Sequence, residues 1–296
     1  MNLRDPREIF ALDRRAVAQA FDRASASYDD AAALQERVRN ELMGRLDDLK
    51  LTPTAILDLG AGTGHATRAL KRRYPEALAV AVDIAPGMLE KARHQSRWLR
   101  RFERVRADAY ALPFNDGSFD LVFSSLMLQW CDDLDAVFTE VARIMKPGGA
   151  LIFSTFGPDT LYELRESWRA SDAPGNHVNH FFDAPSLGTA LMHAGLSEPV
   201  LDVDRILVRY DDVMTLMREL KAIGAHNTTR GRPRGLTGRH RLAAMTRAYE
   251  TLRQDGKLPA TYEVIHAICW GGAPRPDRAG PREALISPDA IRRRGG

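Results

Sequence analysis

Leu57-Asp58-Leu59-Gly60-Ala61-Gly62-Thr63-Gly64 sets three glycines at alternate positions between an apolar run and a helical one, and no other stretch of the 296 residues restricts the fold as much. Ala55 to Leu59 reads as a buried strand, Gly60 to Gly64 as a tight turn, and His65 to Tyr74 as a helix stopped by Pro75. Glycine at such a turn lets the backbone bend sharply and approach a ligand closely, because no Cβ stands in the way. The dinucleotide fingerprint GxGxxG needs its third glycine at position 65, where this chain has His65, so a pyrophosphate ligand is disfavoured.

Further short apolar runs follow at Leu78 to Asp83, Val105 to Asp108, Leu121 to Ser125 and Leu151 to Phe156, with helical stretches at Gly87 to Arg101 and Leu134 to Met145 between some of them. Strands alternating with helices imply a parallel sheet covered on both faces. From Arg14 to Leu51 apolar residues recur at helical spacing, with Ser25 to Tyr28 as the break, so two helices precede any strand. After Phe156 the rhythm changes to a polar stretch with a helical core at Thr160 to Trp168, then a helix from Ser186 to Ala194 closed by Gly195. Two strands, Leu201 to Tyr210 and Thr261 to Trp270, are separated by 50 residues. An interval of that length is more often a lid or a docking surface than an idle connection. The expected organisation is N-terminal helices over 1–51, a core over 52–156, a second half over 157–270 with insertions near 157–180 and 211–260, and a tail over 271–296. Four prolines and six arginines in the 26 residues of that tail predict mobility.

Charge and cysteine content exclude several classes. Lys and Arg number 42 against 39 Asp and Glu, so the net charge of +3 gives no global attraction to nucleic acid or a membrane. No apolar run nears the ~20 residues of a membrane helix. The N-terminal segment mixes acids with its bases and lacks the apolar centre of a signal peptide. Cys131 and Cys269 stand apart without CxxC or Cys/His spacing, which argues against a structural zinc and fits a reducing compartment. A cytoplasmic monomer without metal is the expectation.

The glycine loop, with Asp58 two residues ahead of it, resembles that of class I S-adenosylmethionine-dependent methyltransferases. The resemblance implies an α/β Rossmann-like fold whose seven-stranded, mostly parallel sheet carries helices on both faces and a helical lid insertion. It also implies S-adenosyl-L-methionine as cofactor. Asp58, Gly60, Gly62 and Gly64 would belong to its loop. Asp83, 23 residues after Gly60, would accept from both ribose hydroxyls, with Ile84 beside it. Asp108 and Ala109 resemble the pair that reads adenine, and Ser125 ends the fourth strand. Each acid alone has a plainer explanation as a helix cap; three at successive strand ends converge on one crevice.

A narrower resemblance runs from about residue 14 to 270. Phe21 to Asp29 (FDRASASYD), Leu34-Gln35, Ser124 to Trp130 (SSLMLQW), Phe153 to Leu161 (FSTFGPDTL), Leu216 to Asn227 and Leu258 to Tyr262 are similar, in order, to the malonyl-acyl-carrier-protein O-methyltransferases of biotin synthesis. The family's reaction caps the free carboxylate of a malonyl thioester as its methyl ester. A carboxylate is already ionised at pH 7, so no general base is needed, and none is assigned. The enzyme would place the oxygen ~3–3.5 Å from the methyl group and strip water from it. Tyr28 and Gln35 are candidates for covering the cofactor, Tyr28 facing the sulfonium or, alternatively, stapling two helices. Gln129, Trp130, Phe156, Asp159, Thr160, Tyr162, Arg165, Asn227 and Tyr262 are the candidates for the acceptor, with core packing as the alternative for Trp130 and a helix start for Asp159 and Thr160.

An acyl-carrier protein is acidic, so its dock should be basic. Lys91 to Arg106 holds seven basic residues against one acid and reads as a solvated helix face. His226 to Arg241 holds five arginines and no acid, and Arg230, Arg232, Arg234, Arg239 and Arg241 form the preferred dock for malonyl-acyl-carrier protein. The patch lacks interleaved aromatics, which disfavours single-stranded RNA. An arginine hydroxylase that assembles respiratory complex I is the alternative reading, since its methyltransferase-like core and its DTLYEL and PATY segments are also similar. A non-catalytic partner protein is the third, opposed by the intact Gly60, Gly62, Gly64, Asp83 and Asp108.

Overall fold

Alternating side chains build the sheet. In strand β1 (Ala55–Leu59), Ile56 turns to one face and Leu57 and Leu59 to the other, and all three are buried. A computed structural model of the chain describes residues 11–96, 100–171, 178–225 and 238–272. Strands β2 (Leu78–Asp83), β3 (Glu103–Arg106), β4 (Phe119–Ser125) and β5 (Met145–Phe156) join β1 in parallel, in the order β3-β2-β1-β4-β5. The remaining strands are β6 (Ser197–Tyr210) and β7 (Leu258–Trp270). β7 lies antiparallel to β5, and β6 closes the edge antiparallel to β7. The chain moves outward from β1 to β3, then returns to β4 on the other side of β1. A ligand crevice therefore opens at the carboxyl ends of β1 and β4.

Helices α1 (Arg14–Ala24), α2 (Tyr28–Ala31) and α3 (Ala33–Gly44) come first, followed by a 3₁₀ turn at Arg45–Asp48. Next along the chain are α4 (His65–Arg73), α5 (Pro86–Gln95), α6 (Leu134–Ile144), α7 (Tyr162–Ala170), α8 (Ala184–His193), α9 (Val213–Ala222) and α10 (Arg239–Glu250). Asp13, Asp133, Asp183 and Asp212 cap α1, α6, α8 and α9, each accepting backbone N–H bonds of the first turn. On one sheet face, Val137, Phe138 and Val141 of α6 and Leu187 and Leu191 of α8 cover Leu57, Val122 and Phe153. On the other, Leu42, Leu46 and Leu70 cover Ile56, Phe123 and Ile152. A third apolar cluster joins α7, α9 and α10 to β6 and β7. Among the described residues no helix is long and apolar enough to cross a membrane.

The seven-stranded, mostly parallel sheet is the expected one, with differences at its edges. The third strand lies at Glu103–Arg106 rather than Val105 to Asp108. β7 starts earlier than its apolar run because its ladder with β6 runs on through Pro259 to Leu258, and β5 and β6 start earlier because each resumes pairing beyond a bulge, at Met145 and at Ser197. β6 and β7 extend the same sheet across the boundary drawn at residue 156. Among the described residues three helices, not two, precede β1, because the break near Ser25 is followed by the single turn of α2. Residues 226–237 and 273–296, with most of the arginine-rich insertion and the tail, lie outside the described residues.

Candidate active site

A cleft of about 770 Å³, counting its open mouth, sits at the switch point, and its lining includes Gly60, Gly62, Asp83, Ile84, Asp108, Ala109 and Ser125. Gly60 and Ala61 both donate to the carbonyl of Val82 at 2.9 Å, tying the loop to β2. Gly60 has φ +75°, and a Cβ there would stand 2.2 Å from Met127 Cγ, so only glycine fits. Gly62 has φ +53° with nothing within 4 Å of its missing Cβ; its free face borders the cleft. The Gly62 N–H donates 2.9 Å to Asp83 Oδ2, and Ala85 N–H donates 2.8 Å to Oδ1. Burial raises the Asp83 carboxyl above its ordinary range, and these N–H bonds oppose the shift.

The N-terminal helices roof this cleft with Val17, Phe21 and Tyr28. Arg14 bridges to Asp108 at 3.1 Å, with its guanidinium 4.6 Å from the Tyr110 ring centroid. Leu12 N–H donates to Asp132 Oδ2 at 3.0 Å, and Gly87 N–H to Asp22 Oδ1 at 2.6 Å. Asp132 also accepts from the Tyr110 hydroxyl at 2.8 Å, and burial holds that hydroxyl well above its ordinary pKa. These bonds fasten α1 across the strand ends. Sequence reasoning did not reach Arg14, Phe21, Tyr110 or Cys131 as lining residues, because only tertiary contact brings them to the glycine loop. The Cys131 thiol is buried and pushed up to about 12, mainly by desolvation.

A second cavity of about 560 Å³, its open mouth included, adjoins the first at Trp130, which lines both. Its wall is mostly apolar: Phe156, Leu161, Leu164, Phe181, Leu220 and Tyr262 among others. Phe156 packs on Phe181 and Tyr262 with ring centroids 5.9 and 5.7 Å away. Trp130 meets Phe21 edge-on at 5.0 Å, joining the roof of the first cavity to the wall of the second.

Eight of the expected cofactor residues, Tyr28, Gly60, Gly62, Asp83, Ile84, Asp108, Ala109 and Ser125, line the first cavity. Three do not. Asp58, 1% exposed, points to the α4 face of β1 and accepts from Thr67 Oγ1 at 2.5 Å, because successive strand residues face opposite ways. Gly64 is the N-cap of α4 and leaves room for Ala92 of α5, whose Cβ would lie 2.8 Å from a Cβ at 64. Gln35 lines the second cavity, since α3 runs past the cofactor side.

Of the acceptor candidates, Gln129, Trp130, Phe156, Thr160 and Tyr262 come together in the second cavity. Asp159, Tyr162 and Arg165 are not in its lining. Asp159 pairs with Arg205 at 2.6 Å on the surface, and Tyr162 is 46% exposed. Arg165 donates to the carbonyls of Pro158 and Thr160 at 3.0 Å, holding the turn that starts α7. Arg239 and Arg241 are exposed at the start of α10; Asn227, Arg230, Arg232 and Arg234 lie outside the described residues. Leu164, Val178, Asn179 and Phe181 of the second cavity had no motif to announce them.

A family model described as a methyltransferase domain matches residues 57–153. A malonyl-acyl-carrier-protein O-methyltransferase of Methylovorus sp. is 49% identical over 269 residues, covering 89% of this chain and 90% of its own length. Another, of Halorhodospira halophila, is 44% identical over 293 residues, covering 98% and 99%. Among solved structures, Haemonchus contortus phosphoethanolamine N-methyltransferase 2 in complex with S-adenosyl-L-methionine shares the fold, with a TM-score of 0.55 at 18% identity, over 85% of this chain and 57% of its own.

Proposed function

The chain belongs to the malonyl-acyl-carrier-protein O-methyltransferase family, and from that premise we propose that it methylates the free carboxylate of malonyl-acyl-carrier protein, an early step of biotin synthesis. The observation that carries the reading is the pair of cavities sharing Trp130, one rimmed by carboxylates and backbone N–H groups, the other uncharged and mostly apolar over its described residues.

The first cavity fits S-adenosyl-L-methionine on its own chemistry. The open face of Gly62 admits a close ligand, and Asp83 keeps acceptor capacity on both oxygens after its two backbone bonds. Asp108 keeps such capacity beside Tyr110, and Tyr28 and Phe21 supply an aromatic roof for a cationic centre. When bound, S-adenosyl-L-methionine would supply a methyl group on a positively charged sulfur to the acceptor's carboxylate oxygen, its S–CH₃ bond exchanged for the new O–CH₃ bond. No proton moves, and the opposite charges of sulfonium and carboxylate cancel. Leu126, Met127 and Trp130 favour such a step by keeping water out, because charge that is being lost needs no solvation. Trp130 and the Phe156 cluster orient the acceptor, and the step needs no base because the carboxylate is already ionised.

The free, buried cysteines suit a reducing compartment, and the reading extends to a monomer in the cytoplasm. No observation favours the hydroxylase alternative. The test is to incubate the purified chain with labelled S-adenosylmethionine and malonyl-acyl-carrier protein and look for a base-labile methyl ester. Cofactor binding without transfer rejects the reading.

A further inference from the structure

Three primary amides line the mostly apolar second cavity, Gln35, Gln129 and Asn179, and no charged side chain stands among its described lining residues. Gln129 is used by the fold: its Nε2 donates to Leu126 O at 2.6 Å and its Oε1 accepts from Thr155 Oγ1 at 3.3 Å. Gln35 and Asn179 are not. Gln35 Oε1 and Asn179 Oδ1 are buried without a partner, and Asn179 as a whole is 8% exposed. Buried polar groups without partners destabilise a fold, so local structure gives no reason for two of them to face one cavity from separate elements, α3 and the stretch before α8.

We propose that Gln35 and Asn179 are the donors that hold the acceptor's carboxylate in this cavity. The inference rests on the methyl-transfer reading above. Among the described residues neither amide is held by a hydrogen bond, so each can turn about its terminal bond and exchange oxygen for NH₂, which puts two donors per residue before a group that only accepts. Neutral donors also suit the chemistry better than a cation. An arginine or lysine would bind the nucleophilic lone pairs tightly, whereas amides orient the carboxylate and leave it reactive. After methylation the charge is gone, the ester oxygens accept more weakly, and the product is held less than the substrate. The same two amides thereby select a carboxylate-bearing acyl group over an uncharged one.

The test compares binding of malonyl- and acetyl-acyl-carrier protein, which differ only in that carboxylate, to the full chain saturated with S-adenosylhomocysteine. Gln35→Leu and Asn179→Leu are each expected to cut the preference for malonyl by about tenfold. Together they should abolish it, while the affinity for acetyl-acyl-carrier protein and for S-adenosylhomocysteine stays unchanged. Gln35→Glu, close in shape to the wild type, replaces donors with a like charge and should reverse the preference even if the leucine variants fold poorly. Retained preference in these variants, or equal weakening of both thioesters, overturns the assignment. Wild-type protein that transfers no methyl group to malonyl-acyl-carrier protein rejects the underlying function instead, so the two failures are told apart.

Discussion

The backbone N–H of Gly62 donates to Oδ2 of Asp83 at 2.9 Å, so the glycine turn and the second strand's terminal acid form one unit before any ligand arrives. The missing Cβ of Gly62 faces open space, so Gly62→Ala meets no atom of the protein and costs only the left-handed backbone, about 1–2 kcal/mol. A ligand passing over that face meets the new methyl directly. We expect the variant to stay folded while its affinity for S-adenosylhomocysteine, measured by calorimetry, falls at least about tenfold. An unchanged affinity would place the cofactor elsewhere.

Asp58 gives a pH signature. Burial pushes its carboxyl up to about 7, against the Thr67 hydrogen bond and with help from nearby Asp83. A carboxyl raised in the folded state holds a proton that the unfolded chain has already lost, so its contribution is complete below pH 4 and fades as pH rises toward 7. Asp58→Asn carries no such proton. Between pH 5 and pH 8, the stability read from urea unfolding should shift in favour of the variant, relative to wild type, by on the order of 2 kcal/mol. A pH-independent difference contradicts the buried acid.

Trp130 separates and joins the two cavities. Trp130→Ala removes the shared wall and the edge-on contact with Phe21, and misplaced reactants lose rate faster than affinity. The expected result is a fall in kcat of about a hundredfold, with a smaller change in KM; Trp130→Phe should recover part of it.

Asp159 faces Arg205 rather than the acceptor. Both side chains are about half exposed or more, so Asp159→Ala should alter stability by under about 1 kcal/mol and leave kcat and KM unchanged. A large loss of activity would return Asp159 to the site.

Arg239 and Arg241, exposed at the start of α10, carry the docking expectation within the described residues. Changing both to Glu should raise KM for malonyl-acyl-carrier protein several-fold at low salt and leave KM for malonyl-CoA unaltered. Equal effects on the two acceptors would remove α10 from the dock.

What could be read in the chain depended on whether a role is local. Gly60, Gly62 and Asp83 were legible because the turn and the strand end impose their own spacing. Asp58 was misdirected by the same motif: its distance from the glycines is fixed, but strand alternation turns it away from the crevice. Gln35 shares a segment with the cofactor cover, and the path of α3 carries it to the second cavity. Arg14, Phe21 and Asn179 reach their cavities only through packing between distant segments, and no periodicity encodes that.

Because β7 comes last in the described chain yet lies between β5 and β6, synthesis and assembly follow different orders. Strands β1 to β5 can pair as soon as residue 156 has left the ribosome. β6 has no strand to pair with, among those described, until residues 258–270 emerge and slot in beside it. The nascent chain thus completes its glycine-loop half first and waits with an unzipped edge for the C-terminal strand. Truncation ahead of Leu258 would leave two exposed strand edges at once, a liability to aggregation as much as to activity.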